Sequence, residues 1–261
     1  MTTVAEVARF LEAFAPPRLA AEWDNVGLLV VDAAQPVRRA MTCLTITPAV
    51  AAEAVAEKAD LIVTHHPLPF HALRRLTTES TAGRLLLELA AARVAVYSPH
   101  TAFDSAADGI NQRLAAGLGL RDIRALEPHS EGEGAGRFGR LDPPCTLGEL
   151  AERLKRLLGI GGLHVAGDLR RTINSAAVAC GAADDLLTLA HRQQCDAMVL
   201  GEARFHTCLE AESLGIGLLL PGHFASERFG VEHLAGVLAA GLPGLTVWAS
   251  RRERDPLRWM A

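Results

Sequence analysis

A two-part α/β fold with mainly parallel sheets is predicted by three features of the chain. Short apolar runs of strand length alternate with longer segments at helical period, the pattern of successive βα units. One stretch, 127–144, is rich in glycine and proline, has no period, and interrupts the alternation near mid-chain. Four of the apolar runs end on histidine or carboxylate residues, where open α/β sheets place their sites.

The first residues are amphipathic, with Val4, Val7, Phe10, Leu11 and Phe14 at helical spacing, and Glu6 and Glu12 interrupt any signal-peptide apolar core. Trp23-Asp24-Asn25-Val26-Gly27 reads as a turn entering a strand over 28–31, with polar groups that could reach the site. Strands at 41–45, 61–64 and 94–98 are separated by helices at 49–58 and 82–91. A helix over 109–118 stops on Gly117-Leu118-Gly119-Leu120. Beyond the break come a helix at 147–158, then strands at 176–180, 197–200 and 218–220 alternating with helices at 184–193, 207–214 and 226–238. The predicted division is a first half over 1–126, a junction over 127–144 and a second half over 145–261, with a metal site where the halves meet. Inside the junction Gly134, Gly136 and Gly139 spell G-x-G-x-x-G. Pro143 and Pro144 follow where a dinucleotide fingerprint would open a helix, so the segment reads as a glycine-rich turn.

Composition narrows the function classes. With 261 residues, 49% of them hydrophobic, the chain can bury one large core or two modest ones. A net charge of −4 without long runs of like charge gives nucleic-acid binding no support. Five cysteines, an odd number without a C-x-x-C pair, fit a reduced cytoplasmic setting in which they pack as small core residues. No apolar run approaches the roughly 20 residues of a membrane span, so no membrane partner is expected.

The polar strand ends carry the chemistry. His65-His66-Pro67 follows the strand at 61–64; proline biases His66 away from helix and so gives two adjacent imidazoles an extended exit. His100 and Asp104, Glu202 and His206, and His223 and Glu227 are each spaced i, i+4, which puts both members on one face of a helical turn. Taken singly, such a pair is more commonly a solvated hydrogen bond. Three of them, each at a strand end, point to metal ligation. Imidazole with carboxylate and no thiolate suits zinc, iron or manganese. A set of five, His65, His66, Asp104, His223 and Glu227, exceeds the three protein ligands of a single catalytic zinc, so two divalent ions per chain, bridged by Asp104 or Glu227, fit the inventory. His100, Glu202 and His206 are then supporting or acid/base candidates.

These residues, in this order, resemble the Nif-three-like family, the dinuclear-metal-centre hexameric proteins also described as GTP cyclohydrolase 1 type 2 homologues. The resemblance runs from EWDNVGLLV through LIVTHHPLPF, SPHTAFDSAADGINQRLAAGLGL, GAGRFGRL and GEARFH to PGHFASERFGVEHLA. It implies metal ligation by His65, His66, Asp104, His223 and Glu227. It also implies two interlocked α/β subdomains without an inserted middle domain, and a homo-hexamer, a trimer of dimers, around an internal cavity. The chain departs from the family pattern at Leu44-Thr45-Ile46-Thr47, where an aspartate is frequent, and at Gly201-Glu202, where GD is usual.

Two functions compete. An open two-metal site suits a metal-dependent hydrolase acting on a small nucleotide-like or phosphorylated molecule. The alternative is a non-enzymatic ring that carries, senses or delivers metal, or scaffolds a partner.

Overall fold

The computed structural model of the chain describes residues 2–30 and 32–258, so Val31, the last residue of the strand expected over 28–31, lies outside the described residues. They divide into two compact units. Of the described residues, the first holds those up to Phe103 and Gly230–Arg254; the second holds Asp104–Phe229 and 255–258. The chain thus changes unit after Phe103, after Phe229 and after Arg254, and 127–144 lies inside the second unit.

In the first unit, α1 (Val4–Phe14) begins on a capping box: the Glu6 amide donates to Thr3 Oγ1, and the Thr3 amide donates to the Glu6 carboxylate at 2.8 Å. The sheet comprises β1 (Gly27–Val30), β2 (Arg39–Cys43), β3 (Leu61–Thr64), β4 (Ala95–Ser98) and β13 (Thr246–Ala249), in the order β1-β4-β3-β2-β13. All neighbours are parallel except β1 with β4. Met41, Cys43, Ile62 and Val96 pack against Val50 and Ala54 of α2 (Pro48–Ala56) and Leu85 and Leu89 of α3 (Thr81–Ala91). Alternate residues face the other way: Thr42 Oγ1 donates to Val231 O of α9 (His223–Gly241) at 3.1 Å. The end of α9 comes so near α1 that a Cβ on Gly241 would lie 2.2 Å from the Phe10 ring.

The second unit holds β5 (Leu120–Arg124), β8 (Arg137–Thr146), β9 (His164–Ala166), β10 (Thr172–Ala179), β11 (Ala197–Leu200) and β12 (Gly217–Leu220), in the order β5-β8-β10-β11-β12-β9. Its central strands β10, β11 and β12 are parallel, and the flanking pairs antiparallel. Period-two alternation sorts its core into two layers. Ala176, Val178, Ala197, Val199 and Leu219 meet Leu114 of α5 (Ile110–Gly117) and Leu150 of α6 (Leu147–Leu158). Ala177, Ala179, Met198, Leu200 and Leu218 meet Leu187 of α7 (Leu187–Arg192) and Ala211 of α8 (Phe205–Ser213).

The segment 127–144 is strand, not linker: β6 (Glu127–Ser130) pairs with β7 (Glu133–Ala135), and β8 joins the main sheet. Its irregular composition has local causes. Gly134 adopts φ +141°, and a Cβ there would sit 2.1 Å from Glu127 O. Pro143 and Pro144, which lack amide donors, fall where the register between β8 and β10 shifts. Arg137, 1% exposed, ties the segment down. Its guanidinium donates to the carbonyls of Gly134, Gly136, Ser105 and Ala106 at 2.6–3.2 Å and to Gln112 Oε1 at 3.0 Å. Among the described residues no helix is long and apolar enough to cross a membrane.

Candidate metal centre

In the first unit the backbone continues its sheet pairing past β3: the His65 amide donates to Cys43 O at 2.9 Å and the His66 amide to Leu44 O at 2.8 Å. The two rings nevertheless stand only 5.2 Å apart between centroids. His100 joins them from the start of α4 (His100–Ser105), at 5.0 Å from the His65 ring and 5.6 Å from the His66 ring. One ring nitrogen from each of the three lies within 4.8 Å of the others.

What surrounds the rings decides which nitrogens remain available. Asp24 Oδ1 is 2.7 Å from His100 Nδ1, and Asp24 Oδ2 accepts the Thr101 amide at 3.1 Å as well as the Thr101 hydroxyl. Burial would by itself raise the Asp24 carboxyl, but these hydrogen bonds outweigh it and hold the pKa down at about 2. An ionised Asp24 fixes a proton on His100 Nδ1 and leaves Nε2 as the electron-pair donor. Thr45 Oγ1 is hydrogen-bonded to His66 Nδ1 at 2.7 Å and so orients that ring, and the Thr45 amide is itself anchored on Glu253 Oε1 at 2.6 Å. Three clustered imidazoles, two of them with Nδ1 already engaged, fit a borderline divalent cation such as zinc or iron(II). His100 also adopts φ +22°, a strained value for a residue with a side chain, in a turn fastened by Asp24.

The second unit carries the other three residues that the sequence nominates. Asp104 Oδ1 accepts the Cys180 thiol at 3.2 Å, where β10 ends. Burial, then the Asp104 and Glu227 charges, push the Cys180 thiol well above its ordinary value, so Cys180 serves as a neutral S–H donor, not a thiolate. His223 opens α9, with Nε2 3.1 Å from Glu227 Oε2 and Nδ1 3.0 Å from Glu202 Oε1. The Glu227 hydrogen bond is the main cause that raises its pKa to about 9, reinforced by the charges of both carboxylates against the opposing effect of burial. Gly181, at φ +63°, is a cradle for that carboxylate: a Cβ there would lie 2.4 Å from Glu227 Oε1. Its amide donates to Ser226 Oγ at 3.0 Å.

His65 and His66 thus cluster in the first unit, and Asp104, His223 and Glu227 gather around the Cys180-Gly181 turn of the second. Glu202 sits on His223, but it precedes α8, so the Glu202–His206 spacing is not a shared helical turn. His206 is exposed and has its ring 5.7 Å from that of Phe205. Three further residues support the rings and carboxylates. Asp24, expected first as a turn residue whose polar groups could reach the site, holds His100; Thr45 and Cys180, to which the sequence assigns no role, hold His66 and Asp104. Of these last two, only Cys180 left a usable signal, its place directly after a strand.

The sequence profile of the DUF34/NIF3 (NGG1p interacting factor 3) family matches residues 2–256. A Clostridium acetobutylicum protein named GTP cyclohydrolase 1 type 2 homolog is 32% identical over 98% of this chain and 98% of its own length. A Schizosaccharomyces pombe protein named Protein NIF3 homolog is 35% identical over 86% of this chain and 84% of its own. Among solved structures, a Bacillus cereus protein related to NIF3 superposes with a TM-score of 0.89 at 22% identity, covering 99% of both chains, a likeness of fold. Reduced HcgD from Methanocaldococcus jannaschii gives 0.83 at 26% identity, covering 95% of this chain and 97% of that one.

Proposed function

Because this chain belongs to the DUF34/NIF3 family, we propose that it binds two divalent metal ions through His65, His66, Asp104, His223 and Glu227 and uses them for hydrolysis. The observation that carries this reading is the imidazole cluster of His65, His66 and His100, with ring nitrogens within 4.8 Å of one another. Imidazoles crowded in this way suit a site where His65 and His66 would turn lone pairs to a cation, with His100 beside them.

Bound metal would supply Lewis acidity to a substrate oxygen. The chain's own residues supply the rest. Asp24 and Thr45 orient His100 and His66 through Nδ1, and Glu202 orients His223. His100, with Nδ1 held, has Nε2 free to take or return a proton, the acid/base role also open to Glu202 and His206. The names of relatives such as that of Clostridium acetobutylicum support a nucleotide-like substrate. A homo-hexamer, arranged as a trimer of dimers in a reduced cytoplasm, completes the proposal; none of the five cysteines is in a disulfide.

The test is metal analysis with an anomalous-scattering map on protein purified without chelator. Two ions per chain at the five residues are expected. A pocket that stays empty or takes one ion after loading with zinc, iron or manganese would overturn the dinuclear assignment. Turnover of a nucleotide and phosphoester panel that disappears in His66→Ala is the expected activity. Metal transfer to an apo-acceptor without turnover would favour a metal carrier instead.

A further inference from the structure

Each chain segment entering the middle of the first sheet brings a cation to the same edge. Arg38 precedes β2, Lys58 lies before β3 and Arg93 lies before β4. With Gln35, Asp60 and Val94 they line a cavity of about 590 Å³. This is the amino edge of those parallel strands, whereas His65 and His66 follow the carboxyl end of β3.

The acidic and amide groups of the cavity are already engaged. Asp60 Oδ2 accepts the Arg38 and Arg39 amides at 2.8 and 3.0 Å. Gln35 Nε2 donates to Asp60 O at 3.2 Å and to Arg93 O at 2.7 Å, which fixes the two turns side by side. Arg39 pairs with Glu57 at 3.2 Å. The side chains of Arg38, Lys58 and Arg93 have no hydrogen bond or ion pair among the described residues.

The backbone makes the placement more telling. Lys58 and Arg93 close α2 and α3 in the left-handed region, at φ 53° and 57°. There the Ala59 amide reaches Ala54 O at 2.8 Å and the Val94 amide reaches Leu89 O at 2.9 Å. Glycine is favoured at such a helix-closing position, because a side chain is strained there. A cation can also complement the carbonyl end of a helix. Yet the corresponding closures before β11 and β12 in the second unit use Gln194 at φ 56° and Gly215 at φ 70°, both neutral. Helix closure alone therefore does not call for a charge.

We propose that this cavity binds a small molecule of the di- or triphosphate class, its charged groups on Arg38, Lys58 and Arg93 and an apolar body against Val55 and Val94. Unpaired guanidinium and ammonium groups around one concavity are the donors that recognise adjacent phosphates. The volume lies within the range of small-ligand pockets.

The test uses the full chain stripped of metal, titrated calorimetrically with inorganic pyrophosphate and with ADP at low and high salt. Wild type is expected to bind both, ADP more tightly, with affinity falling as salt rises. The double variant Lys58→Gly, Arg93→Gly removes two charges while relaxing the backbone. It should keep or raise Tm and weaken binding at least tenfold, by rough expectation for two lost charge contacts. Arg156→Ala, which removes an exposed charge outside the cavity, should bind as wild type does. Absence of binding in wild type, unchanged binding in the double variant, or loss of binding in Arg156→Ala would each overturn the proposal. Equal binding of pyrophosphate and ADP would remove the apolar half of it.

Discussion

Asp24 Oδ1 lies 2.7 Å from His100 Nδ1, and the other oxygen of the same carboxylate holds the Thr101 amide and hydroxyl. One acidic residue therefore fixes both the ring's protonated nitrogen and the backbone turn that presents it. Asp24→Asn keeps the shape but loses the charge that fixes the proton on Nδ1. Metal affinity, read by competition with a chromophoric chelator, should fall about 10- to 100-fold. Asp24→Ala should in addition destabilise the metal-free chain by about 1–3 kcal/mol in urea denaturation. Since the folded pKa, about 2, is below the ordinary 3.8, the stability Asp24 contributes is present above 3.8 and lost as pH falls through about 2.

His223 has both ring nitrogens on carboxylates, which only the doubly protonated ring can satisfy. In metal-free protein, NMR should find its imidazole titrating near 9, and Glu227→Gln should bring it back towards 6.5. The folded pKa exceeds the unfolded one, so the stabilisation is complete below 6.5 and disappears as pH rises through about 9. Gly181→Ala should mimic the glutamine variant in part, since its Cβ would collide with Glu227 Oε1. A titration of His223 unmoved by either change would show that Glu227 is not its main partner.

How much of this was legible in the sequence depends on whether an element advertises itself by period. The strands Leu61–Thr64 and Ala197–Leu200 and the helix Leu147–Leu158 stand where the apolar pattern places them. The α/β class and the family follow from the chain itself. Strands β6 and β7 did not show, because Glu127–Ser130 is exposed on every residue and Glu133–Ala135 is too short to display an alternation. β8 hid behind Pro143 and Pro144, whose place at a register shift only its partner strand reveals. The five nominated ligands could be named because they sit in motifs at strand ends, whereas Asp24 lies 76 residues before the ring it orients. Long-range hydrogen bonds leave no trace in spacing.

Cys180 is held as a thiol by burial and by the neighbouring carboxylates, so it should be the slowest of the cysteines to react. Timed alkylation followed by mass mapping should label Cys208, the one cysteine not fully buried, well ahead of Cys180. In denaturant the difference should vanish. Early labelling of Cys180 in folded protein would mean that the thiol is not sealed against Asp104.

Glu53 on α2 gathers the chain as it leaves β13: its carboxylate accepts Ser250 Oγ at 2.6 Å, the Arg251 and Arg252 amides at 3.0 Å and Trp248 Nε1 at 3.3 Å. The next residue, Glu253, accepts the Leu44 amide at 2.8 Å and the Thr45 amide at 2.6 Å, beside the threonine that holds His66. The return of 230–254 to the first unit is therefore locked by two buried carboxylates. Glu53→Gln loses the charge that these donors share and should cost about 2–3 kcal/mol in urea denaturation. Burial alone would raise the Glu53 carboxyl, but the amide and hydroxyl donors outweigh it and lower the pKa below 4.5. The wild-type advantage over the variant should accordingly be full above pH 4.5 and shrink as pH falls through the lowered folded value. If the advantage grew on acidification, the carboxylate would not be the form that holds the segment.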